Sequence, residues 1–167
     1  MFERLWNGWR STYVSSVGSS VEAGEGSVFS QILRSQLPDD ETNIVHRGDL
    51  VFVILNAYPY GTGHSLVMPY REVADLEDLT AHEASELWAT VTDTVRAVKA
   101  AYRPDGVNVG LNLGRPAGGS VSEHLHVHVV PRWTGDANFM TAVANTRTLP
   151  EPLADTARKL RAAWPVG

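Results

Sequence analysis

Three histidines alternate with apolar residues in Ser122-Glu123-His124-Leu125-His126-Val127-His128-Val129-Val130-Pro131-Arg132, and no other stretch restricts the chain as much. Side chains of an extended strand point to alternate faces. A strand here puts His124, His126 and His128 on one face and Leu125, Val127 and Val129 on the other, where a core can take them. At a rise of roughly 3.3 Å per residue, neighbouring imidazoles stand about 7 Å apart. The rings are then too far apart to bond one another, yet close enough for one small ligand to meet all three.

The elements around this row can be read in turn. Leu50 to Leu55 is a continuous apolar run with β-branched members, the pattern of a buried strand. Tyr58-Pro59-Tyr60-Gly61-Thr62-Gly63 is a turn cluster, and Ser65 to Met68 returns antiparallel until Pro69 stops it. Thr80-Ala81-His82-Glu83 is a capping box. Ala84, Leu87, Trp88, Val91, Val95, Val98 and Tyr102 follow at helical spacing, and Pro104-Asp105-Gly106 ends that helix. Val107 to Asn112 is a further strand, and Leu153, Ala157, Leu160 and Trp164 mark a short C-terminal helix after Pro150 and Pro152.

Two blocks carry a family resemblance. His124-x-His126-x-His128 followed by two apolar residues resembles the signature of the histidine triad (HIT) superfamily. Leu55-Asn56-Ala57-Tyr58-Pro59-Tyr60-Gly61-Thr62-Gly63-His64-Ser65-Leu66-Val67-Met68-Pro69 resembles that family's earlier strand-loop-strand with its Gly-His pair. The resemblance covers roughly residues 44 to 140 and implies an α+β, HIT-like fold. That fold has an antiparallel sheet of about five strands, a long helix packed on one side and a short C-terminal helix. One domain is expected over 1–167, with 1–26 an aromatic N-terminal arm and Ser/Gly-rich link, and 44–140 the core bearing the triad.

By position, the resemblance makes His126 the nucleophile that accepts a nucleotidyl group, with one ring nitrogen tied to a backbone carbonyl. His124 and His128 would flank it and donate to the phosphate oxygens and leaving group. Asn56 matches a ribose contact, His64 a residue supporting the site, and Asn112 a phosphate contact. Ile44, Phe52 and Ile54 are candidate walls for the base, Ile54 reading better as core. Gly119 and Ser120, with Glu123, look like the members that cleave diadenosine tetraphosphate by phosphorolysis, to ADP and ATP; many family hydrolases have Gln at the place of Ser120. The alternative is a hydrolase that releases AMP from dinucleoside polyphosphates or nucleoside phosphoramidates. Gly114 to Ser120 is expected to cradle phosphate with backbone N–H groups, and Arg115 or Arg132 could assist.

Ser27-Val28-Phe29-Ser30 departs from the family pattern. Many relatives carry Cys-x-x-Cys here as part of a structural zinc site, and serine hydroxyls do not replace thiolates as zinc ligands. No metal site and no required cofactor are therefore expected, magnesium at most accompanying the polyphosphate. Phe29, Ile32 and Leu33 keep a packing role.

Composition bounds the rest. A net charge of −5 argues against a nucleic-acid partner, and no stretch approaches the roughly 20 apolar residues of a membrane span. Zero cysteines exclude disulfides and fit the cytoplasm. A homodimer or larger homo-oligomer is implied by the family. Two other readings stay open: a three-histidine zinc centre, and a silent nucleotide-binding scaffold.

Overall fold

The computed structural model describes residues 26–136 and 151–165. The arm expected over 1–26 lies outside them, apart from Gly26.

Five strands form one antiparallel sheet: β1 (Ile44–Arg47), β2 (Val51–Leu55), β3 (Ser65–Pro69), β4 (Gly106–Leu111) and β5 (Val127–Arg132), in the order β1-β2-β3-β5-β4. Among the described residues four α-helices accompany it: α1 (Val28–Arg34), α2 (Asp39–Thr42), α3 (Ala81–Tyr102) and α4 (Leu153–Ala162). The expected α+β architecture is thus present.

Both halves of the capping box form: Glu83 N–H donates to the Thr80 hydroxyl, and Thr80 N–H to the Glu83 carboxylate. Arg71 also donates to Glu83 and holds its carboxyl down to about 2. The helix stops at Arg103, which turns left-handed.

The two sheet faces divide the core. Val53, Leu55, Val67, Leu125, Val127 and Val129 meet Leu87, Val91 and Val98 of α3 and Leu160 of α4. Phe52, Ile54, Leu66 and Met68, on the opposite face, meet Phe29, Ile32 and Leu33 of α1. β2 is buried on both faces, which is why it reads as an unbroken apolar run. Trp164 stacks on His46, their ring centres 4.3 Å apart.

The triad departs from the expected strand. β5 begins only at Val127, so of the three histidines only His128 lies on it. Residues 124–126 instead bind the chain that follows β3: Leu125 N–H donates to Val73 C=O at 2.6 Å, and the His124 ring to Pro69 C=O at 2.8 Å. These bonds replace a sheet ladder. The rings of His126 and His128 stand 5.0 Å apart, closer than the roughly 7 Å that separates same-face positions along a strand.

Candidate active site

Bonding partners assign the tautomers, because a carbonyl can only accept and a backbone N–H can only donate. His126 Nδ1 lies 2.7 Å from its own neighbour's carbonyl, His124 C=O. Nδ1 therefore carries the proton, and Nε2 holds a lone pair. Only 7% of His126 is exposed, and burial pushes its pKa below 6.5, against the bond to His124 C=O, which raises it. The ring is neutral at pH 7, as a nucleophile requires.

His128 pairs across β3 with Leu66, on the face that carries Ile54 and Phe52. Its Nδ1 is 2.9 Å from His64 Nε2. His64 Nδ1 accepts the Tyr60 N–H at 3.0 Å and faces Asn56 Nδ2 at 3.4 Å, so His64 carries its proton on Nε2 and donates to His128. His128 is left with its proton on Nε2. Gly63 makes this entry possible: its φ is +80°, and a Cβ there would meet Pro131 Cγ at 3.0 Å.

His124 is placed otherwise than a donor to substrate. It has no exposed surface, and both nitrogens are engaged: Nε2–H donates to Pro69 C=O, and Nδ1 accepts the Ser27 hydroxyl at 2.7 Å. Its ring buttresses, and its backbone carbonyl holds His126.

Other expected contacts are revised by what covers or engages them. Ile44 and Phe52 have no exposed surface, because α1 lies over that face, so in this structure they are core, with Ile54 beside them. Asn56 spends its side-chain oxygen on Tyr58 N–H, an Asx turn. The loop before the triad is no open cradle. Ala117 and Gly119 N–H donate to Gly114 C=O, and Gly118 N–H to Arg115 C=O. Gly119 is needed for close approach instead, since a Cβ there would sit 3.1 Å from Gly114 O and 3.2 Å from Asn112 O. Ser120 and Glu123 are exposed, and Asn112 is half-buried, one residue past the Leu111–Val127 pair and so level with His126. Arg132 is held by Asp136 and Asn108.

Ser27 is the residue that sequence reasoning missed. Its only local mark is the absence of a thiol, and nothing local points to a partner 97 positions away.

Burial sets a pH limit on the fold. It lowers the pKa values of His46, His124 and His126 from 6.5, partly offset at His46 by Asp93 and Glu86, and at His124 by the Pro69 bond, Glu72 and Glu123. Below 6.5 the unfolded chain takes up protons that the folded chain refuses, so folding loses stability there and keeps it above. Thermal melts should show a flat midpoint above about pH 7 and a falling one from about 6.5 to about 5. A midpoint that rises over that range would contradict the burial of these rings.

The HIT domain family matches residues 38–135. The AP-4-A phosphorylase of Mycobacterium tuberculosis is 47% identical over 166 residues, covering 97% of this chain and 84% of the relative. A bis(5'-adenosyl)-triphosphatase of Dictyostelium discoideum is 34% identical over 92 residues, covering 55% of this chain and 61% of the relative. Among solved structures, a Zn-bound histidine triad family protein from Mycobacterium smegmatis superposes with a TM-score of 0.67 at 30% identity, covering 83% of this chain and 92% of that one.

Zinc does not suit the donor set that Ser27 and Ser30 present in this chain. Ser27 and Ser30 offer hydroxyls whose protons are spent on His124 Nδ1 and Glu72. Among the described residues, no group of three or more His, Cys, Asp or Glu is arranged to hold a metal. With the domain matched through the sheet and triad, and a relative nearly half identical over almost the whole length, the chain belongs to the HIT domain family.

Proposed function

We propose that this protein cleaves diadenosine tetraphosphate or a closely related dinucleoside polyphosphate, with inorganic phosphate as the acceptor. The observation that carries the chemistry is the His126 tautomer: a neutral ring with Nδ1–H bound to His124 C=O and a lone pair on Nε2. The likeness to the mycobacterial AP-4-A phosphorylase supports the substrate class.

His126 Nε2 attacks the α-phosphorus of one adenosine. The N–P bond forms, the P–O bond to the polyphosphate breaks, and ATP departs. His128 keeps its proton on Nε2 and donates a hydrogen bond through it to the departing oxygen, where charge develops. An oxygen of phosphate then attacks the adenylyl group and breaks the N–P bond. ADP leaves, and His126 Nε2 regains its lone pair. Asn112, Gly119 and Ser120, with Glu123 nearby, are the proposed neighbours of the acceptor. Asn56 is the proposed ribose contact once its turn opens. His124 serves by position rather than by contact.

Supplying diadenosine tetraphosphate with and without phosphate, and identifying the nucleotides, tests this. ADP and ATP should form only with phosphate. AMP formed regardless of phosphate would make water the acceptor and favour the hydrolase reading.

The proposal includes a homodimer in the cytoplasm. β4 is an edge strand, and Val109 on it and Leu113 beyond it are exposed, an apolar edge that a second copy could cover. Sedimentation should read twice the chain mass. No described helix is long and apolar enough to cross a membrane.

A further inference from the structure

Ser27 stands where two requirements meet. It is the N-cap of α1, and its Oγ accepts the Ser30 N–H at 3.2 Å. A hydroxyl has one proton and two lone pairs, so capping leaves the proton free to give. It goes to His124 Nδ1 at 2.7 Å, a contact buried on both sides. Glu72 fixes the serine from behind, accepting the Ser27 N–H at 2.8 Å and the Ser30 hydroxyl. Burial pushes the Glu72 carboxyl up, but the bonds from Ser30 and Ser27 outweigh it, so the group sits below the usual carboxylate range. Phe29, on the same helix, rests 5.6 Å from the rings of both His124 and His126.

We infer that Ser27 is a positioning residue for the reaction. Its hydroxyl and Pro69 C=O clamp the His124 ring from either side, and the His124 backbone carbonyl, so located, holds Nδ1–H of His126 and aims Nε2. A hydrogen-bonded set of Ser27, Ser30, Glu72 and His124 thus fixes the ring that carries this carbonyl. The inference rests on His126 being the nucleophile, and its test separates the two.

Ser27→Gly removes the hydroxyl but keeps an acceptable N-cap, whereas Ser27→Thr keeps the hydroxyl. Outer partners that orient catalytic imidazoles are worth about ten- to a hundredfold in activity. Ser27→Gly should lower kcat about tenfold or more with KM within about twofold, and Ser27→Thr should stay near the parent. Ring-nitrogen NMR of the parent should show His124 protonated at Nε2 with Nδ1 accepting, and Ser27→Gly should shift that Nδ1 signal. A parent His124 protonated at Nδ1 overturns the inference even if Ser27→Gly does not fold. So does a fully active Ser27→Gly, or a Ser27→Thr as impaired as the glycine variant. An inactive His126→Ala beside a fully active Ser27→Gly would remove this inference and leave the nucleophile intact.

Discussion

His126→Ala should lower turnover of diadenosine tetraphosphate by about 10⁴-fold or more, the usual scale for loss of a covalent nucleophile. The effect is this large because no neighbour can take over. His124 has both nitrogens committed, and His128 presents a proton rather than a lone pair once His64 donates to its Nδ1. The fold should survive. The substitution removes one bond to His124 C=O and contact with Phe29, about 1–3 kcal/mol, within the common range for a single change. The direct check is trapping: quenched without phosphate, the parent should retain a labelled adenylyl group on histidine, and His126→Ala should retain none. Near-normal turnover, or undiminished label, would mean that another group attacks phosphorus.

The part of the candidate site that carries the proposed chemistry could be read in the sequence because it is local. Three histidines two residues apart, and a Gly-His pair between strands, need no knowledge of distant packing. The capping box at Thr80 and the apolar run of β2 are local in the same sense. What escaped is non-local. His124 looks like its two neighbours in the sequence, but its ring is taken by Pro69, 55 positions away, and by Ser27, 97 positions away. Alternation correctly placed Leu125, Val127 and Val129 in the core, although only part of the stretch is strand. The sequence offered Phe52 and Ile54 as candidate walls for the base, but could not show that α1 lies over them. The glycine loop shows the same limit. Glycines permit a cradle, yet these N–H groups close the loop on its own carbonyls.

His64→Phe tests the other half of the chemistry, and turnover should fall about 10²- to 10⁴-fold, as when a catalytic imidazole is released into the wrong tautomer. His64 is 1% exposed and touches no substrate in the proposed reaction. Its role is to convert a fixed backbone donor into a fixed side-chain donor. Tyr60 N–H fills Nδ1, the proton must sit on Nε2, and His128 Nδ1 receives it. Phenylalanine keeps a ring beside Tyr60, whose centre lies 4.7 Å away, but donates nothing. His128 can then carry its proton on Nδ1 and offer a lone pair where the departing oxygen needs a hydrogen-bond donor. The Tyr60 amide also loses its acceptor, at about 1–3 kcal/mol, so the melting point should drop while the sheet remains. His64→Gln can restore a donor and should lose less. The decisive comparison uses a nucleotidyl substrate whose leaving group departs easily as an anion. That group needs less support from a hydrogen-bond donor as charge develops, so the loss caused by His64→Phe should shrink markedly on it. An equal loss on both substrates would assign His64 to packing alone and remove the hydrogen bond from His128 to the leaving group.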